Sequence, residues 1–111
     1  MKVIYKYILP TGGKTIVINE PIAEVLSLQL QNGIPTMWAI IDTEIEEIVP
    51  LKIIAIGTGW TLDKGVDGYL GTIQDDCGYV WHYFKYEKDE TTTIDLNKAF
   101  GEIEGLFDAC M

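Results

Sequence analysis

A chain of 111 residues, 48% hydrophobic and 11% aromatic, is long enough for one packed core and too short for two. Its 17 acidic residues face eight lysines and no arginine, and the resulting net charge of −9 opposes direct nucleic-acid binding, which draws on clustered cations that release counterions. No window approaches the ~20 apolar residues of a membrane span, and the apolar run after Lys2 is cut at Lys6, so a cytoplasmic protein without membrane contact is expected.

Residues 2–9 are β-branched and aromatic and stop at Pro10-Thr11-Gly12-Gly13, which predicts a strand and a turn. Residues 14–19 predict a second strand, and the tight connection predicts that it forms a hairpin with the first. The firmest local signal follows at Asn32-Gly33. Two alternating runs flank this dipeptide, which supplies the positive φ values of a two-residue type I′ turn. In the leading run Leu26, Leu28 and Leu30 should share one face, with Val25, Ser27, Gln29 and Gln31 on the other. The trailing run, Thr36 to Ile41, is apolar on both faces and should lie inside a sheet.

Residues 42–50 carry Asp42, Glu44, Glu46 and Glu47 and end in proline, reading as an exposed acidic connection that could dock on a basic surface. Residues 51–56 predict a strand ended by Gly57-Thr58-Gly59-Trp60. The two glycines lack the third glycine and the following helix of a dinucleotide loop. Residues 63–74 have a partial calcium-loop spacing but lack the acidic third and twelfth positions. Residues 69–74 and 79–86 predict a last hairpin around Asp75-Asp76-Cys77-Gly78, with Val80, His82, Phe84 and Tyr86 on one face of the final strand and Tyr79, Trp81, Tyr83 and Lys85 on the other.

Beyond a polar break, Leu96, Ala99, Phe100, Ile103, Leu106, Phe107 and Cys110 recur at helical spacing, predicting an amphipathic helix over residues 94–111 with Thr93 or Asp95 as N-cap. It would pack on its own sheet or on a second subunit. In the second case Phe100, Ile103 and Phe107 make the contact, and Gly101 and Gly105 let another backbone approach. The fold expected is therefore mainly β (α+β): an antiparallel sandwich or partly closed barrel of six to seven strands over residues 1–87, with one C-terminal helix, in a homo-oligomer.

The inventory for catalysis is thin. His82 is the one histidine and Ser27 the one serine, and neither stands in a nucleophile motif. Cys77 and Cys110 share no metal or redox spacing, so reduced thiols are expected, with no metal and no cofactor. Trp38, Trp60, Trp81, Tyr79, Tyr83 and Tyr86 are the more informative set, because those left exposed, with Trp60, Trp81, Tyr79 and Tyr83 as the candidates, would form an aromatic contact surface within an acidic rim.

Lys2-Val3-Ile4-Tyr5-Lys6-Tyr7, Gln31-Asn32-Gly33-Ile34-Pro35-Thr36-Met37-Trp38-Ala39, Gly57-Thr58-Gly59 and Val80-Trp81-His82 make the chain resemble a group of short uncharacterised proteins of tailed phages and prophages. The resemblance covers residues 2–86 and leaves the C-terminal stretch as an extension. It implies an accessory factor in the host cytoplasm that acts by binding, such as an inhibitor of a host defence protein. The alternatives it leaves open are a sponge for a small nucleotide signal at a subunit junction, a small enzyme using His82, and a minor virion or assembly component.

Overall fold

The computed structural model describes residues 1–87 and the backbone of residues 93–95. Strands β1 (Lys2–Ile8), β3 (Ile22–Gln31) and β4 (Ile34–Asp42) form one antiparallel sheet in the order β1-β4-β3. Strands β2 (Thr15–Ile18), β5 (Leu51–Gly57), β6 (Val66–Gln74) and β7 (Val80–Tyr86) form the second, in the order β6-β7-β5-β2, and β8 (Thr93–Asp95) adds a parallel edge beside β2. The protein is thus mainly β, built from two separate sheets rather than one closed barrel. Thr93–Asp95 is strand, not the start of a helix; the rest of the helix expected over residues 94–111 lies outside the described residues.

The β3–β4 hairpin forms as its turn dictates, with φ of 53° at Asn32 and 79° at Gly33. β4 occupies the centre of its sheet and buries Met37, Ala39 and Ile41 completely or nearly so, while Trp38 and Ile40 face outward, half-buried. The leucine alternation needs a correction. Leu26 is an extra residue between Val25, opposite Ala39, and Ser27, opposite Trp38. This β-bulge reverses the phase of the strand, so that Val25 and, beyond it, Leu28 and Leu30 all reach the core, and Leu26 is left exposed.

The expected β1–β2 hairpin does not form. β1 pairs with β4 and β2 with β5, so residues 9–14 carry the chain from one sheet to the other. Leu9 N–H still donates to Pro35 O of the first sheet, whereas Lys14 O already accepts from Ala55 N–H of the second. Ile16, Ile18, Met37, Ala39, Ile53, Ala55 and Tyr83 come from both sheets and make one fully buried core. Each fully buried isoleucine or methionine contributes about 1.5–3 kcal/mol. Ile54, Ile56 and Tyr86 form a smaller cluster with Val66 and Phe84 on the opposite face of the second sheet, so β5 is buried on both sides.

Two buried tyrosines differ in their hydroxyls. Tyr83 donates to Pro10 O at 2.8 Å, tying β7 to the crossover. The hydroxyl of Tyr7 is buried with no hydrogen-bond partner among the described residues. Burial, then the nearby Glu20 and Tyr5, pushes the Tyr7 phenol up to about 12. Tyr83 is raised further, by burial first and then by the Asp75 charge.

Candidate functional site

Antiparallel pairing of β5 and β7 sets Gly57 opposite Trp81 and Ile56 opposite His82. The two short segments Gly57-Thr58-Gly59 and Val80-Trp81-His82 therefore meet at one end of the second sheet. There the chain leaves β5 through a turn closed by Trp60 N–H donating to Gly57 O at 3.1 Å, with Gly59 at φ 89°. Glycine at the third turn position is what a type II turn requires. The turn folds the Trp60 ring back over Gly57, where a Cβ would lie 2.7 Å from the indole, and against Gly13, where one would lie at 3.0 Å. Glycine at both positions is what lets the ring lie flat on the backbone.

Asp75 builds the other wall. Its Oδ1 accepts from Cys77 N–H at 2.9 Å and Tyr79 N–H at 3.0 Å, and its Oδ2 accepts from Trp81 Nε1–H at 3.0 Å. One carboxylate thus shapes the β6–β7 turn and orients the indole beside it. Trp60 meets Trp81 edge to face, with ring centroids 5.6 Å apart, and Tyr79 lies tilted on Trp81 at 5.9 Å. Trp81 is the nearly buried back wall at 8% exposure, flanked by Trp60 at 48% and Tyr79 at 62%. With Gly57, Thr58, Gly78 and Val80 these rings line a cavity of about 370 Å³. No basic side chain is among its described lining residues.

Thr58 connects this cavity to His82. Its hydroxyl is hydrogen-bonded to His82 Nε2 at 2.7 Å, and Thr72 Oγ1 meets Nδ1 at 3.1 Å. Tyr69 extends the chain through a 2.6 Å contact to Thr72. Tyr69 and Thr72, three residues apart, share a face because β6 is irregular between Tyr69, opposite Phe84, and Gly71, opposite Tyr83. The imidazole is therefore held between two threonine hydroxyls, an arrangement that fixes the ring but supplies no nucleophile with an orienting carboxylate among the described residues. No group of three or more His, Cys, Asp or Glu able to hold a metal occurs among the described residues.

The residues expected to form a contact surface divide. Trp60, Trp81 and Tyr79 converge. Tyr83 does not reach the surface: it is fully buried on the core side of β7. Glu44, Glu46 and Glu47 are exposed on the connection into β5, and Glu44 lies 3.6 Å from the N-terminal ammonium. They precede Leu51, whereas the aromatic mouth follows Gly57, so β5 separates them by about 20 Å at ~3.3 Å per residue. Phe100, Gly101, Ile103, Gly105 and Phe107 lie outside the described residues. Cys77 is disulfide-bonded and no described cysteine is free, which corrects the expected reduced thiol and removes Cys77 as a partner for His82 chemistry.

A larger groove of about 680 Å³ opens at the acidic end, between the start of β3 and the β6–β7 pair. Glu24, Lys52, Lys85 and Glu87 line it with aliphatic residues, so it presents both charge signs with no convergent polar set. Sequence reading did not single out Thr58, Gly57 or Gly13 as parts of a site. The turn signature at Asp75 and the paired glycines were visible signals, but their meaning rests on a cross-strand register.

No helix among the described residues is long and apolar enough to cross a membrane. No curated protein and no solved structure matches the chain. A family model described as a domain of unknown function (DUF7352) matches residues 1–93, which takes in all seven strands of the antiparallel sheets and the whole aromatic mouth, and the chain belongs to that family.

Proposed function

We propose that this is a phage-encoded, non-catalytic binding protein of the host cytoplasm that inhibits a host defence protein, with the Trp60–Trp81–Tyr79 mouth as its central contact. The carrying observation is that two large aromatic rings, 48% and 62% exposed, stand on a third that is nearly buried, all three held by glycine backbone and by Asp75. Leaving such rings about half exposed forgoes roughly half of the ~1.5–3 kcal/mol that full burial of a large apolar side chain contributes. Rigid aromatic anchors at the centre of a patch are the usual energetic focus of a protein interface. Glu44, Glu46 and Glu47, at the far end of β5, act as a separate electrostatic edge that speeds encounter with a basic partner rather than holding it.

Affinity purification from host lysate followed by native mass spectrometry tests the reading. A stoichiometric protein partner is the expected result. Recovery of the protein with a small nucleotide and no protein partner would replace it with the sponge reading, which the cavity of about 370 Å³, within the range of small-ligand sites, favours as the second choice.

A further inference from the structure

The chemistry of the aromatic mouth narrows what enters it. Three ring systems border one cavity, and the faces of indole and phenol rings carry negative electrostatic potential, which attracts a cation placed over them. The hydrogen bond from Trp81 Nε1–H to the Asp75 carboxylate pushes electron density into that indole and strengthens its face as an acceptor. Asp76 adds a second carboxylate in the same turn, seated beside Gly33 of the neighbouring hairpin. The whole chain carries a net charge of −9, and no lysine is among the described residues lining the cavity to oppose an incoming cation. An anionic group such as a phosphate would meet the opposite potential with no cationic side chain or helix end among the described residues of the cavity to receive it.

We infer that the mouth takes the cationic side chain of an arginine or lysine on the partner protein, stacked against Trp60 and Tyr79 with Trp81 behind. The assignment rests on the binding-protein reading above and supplies its chemical class. Arginine fits best, because its planar guanidinium stacks on an aromatic face and sheds water more readily than an ammonium.

The test uses the full chain, uniformly labelled with nitrogen-15, and the three indole N–H signals of its three tryptophans. Trp38, on the outer face of the other sheet, is an internal control. Nα-acetyl-arginine amide and its uncharged near-isostere Nα-acetyl-citrulline amide are titrated at constant ionic strength. The expected result is a saturable shift of the Trp60 and Trp81 signals with the arginine probe, binding about fivefold or more weaker with citrulline, and no movement of Trp38. Equal binding of the two probes, or no shift with either, overturns the inference. Choline binding more tightly than the arginine probe also overturns it, by pointing to a free ammonium ligand rather than a protein side chain. If citrulline binds as well as arginine while Trp60→Ala abolishes partner capture, the cation assignment falls and the binding-protein reading stands.

Discussion

Tyr7 and Tyr83 bury the same functional group in opposite circumstances, so removing each hydroxyl should move stability in opposite directions. Tyr83→Phe deletes the 2.8 Å donor to Pro10 O and leaves a buried carbonyl without it, at a cost of about 1–3 kcal/mol. Tyr7→Phe deletes a buried hydroxyl that has no partner among the described residues, so it should be neutral or stabilise by up to about 1 kcal/mol. The pair should therefore differ by about 2 kcal/mol, or roughly 8–16 °C in Tm for a domain of this size. Alkaline pH offers an independent readout. Both phenols are raised above the unfolded value of 10.0, so each contributes stability that is whole below that pH and is lost as pH rises towards the folded value. Urea melts of the wild type should show constant stability from pH 8 to 9.5 and a decline above 10. The Tyr83 share has a slope of about 1.4 kcal/mol per pH unit. Tyr7 adds a contribution that ends near its folded value of about 12. Tyr83→Phe should remove about half of that decline between pH 10 and 12, where Tyr7 contributes the other half. Equal destabilisation by the two substitutions, or no decline in the wild type between pH 10 and 11, would refute the assignment of the two environments.

Gly57→Ala would set a methyl 2.7 Å from the Trp60 indole and force the ring off its seat; we expect a stability change within about 1 kcal/mol and a loss of partner binding of at least about tenfold, measured side by side with wild type. His82→Ala should lower stability by no more than about 1 kcal/mol, since its bonds to Thr58 and Thr72 are exposed, and should retain partner capture. Loss of the biological effect by a folded His82→Ala that still captures its partner would place chemistry at the imidazole. Iodoacetamide should leave Cys77 unmodified in the unreduced protein and label it after reduction, as peptide mass mapping would show.

What the sequence made legible was local. Asn32-Gly33 fixes a hairpin because the turn conformation is a property of the dipeptide and the runs beside it. Pro10-Thr11-Gly12-Gly13 carries an equally strong turn signal, yet the chain there passes between sheets, because which strands pair is decided by distant partners, β4 for β1 and β5 for β2. The bulge at Leu26 is invisible to a period-two reading for the same reason: the extra residue exists only relative to Ala39 and Trp38 on the neighbouring strand. At the site, residue type alone pointed to Trp60, Trp81 and Tyr79. Their convergence depends on Gly57 standing opposite Trp81 at the end of the sheet, and Tyr83, on the same face of β7 but two residues further in and opposite Ala55, is covered by the core. The acidic residues at 44, 46 and 47 shared a composition with the imagined rim but not a location, since a seven-residue strand intervenes.

Capture by paired variants measures most directly whether the aromatic mouth is where the partner is held. Tagged wild type, Trp60→Ala and a variant with Glu44, Glu46 and Glu47 changed to glutamine are passed through the same host lysate, and the bound partner is quantified by mass spectrometry. Trp60→Ala should retain its fold but lose the partner by at least about tenfold, while the glutamine variant keeps it with slower association. Full capture by Trp60→Ala together with loss in the glutamine variant would contradict that placement and move the contact to the opposite end of β5.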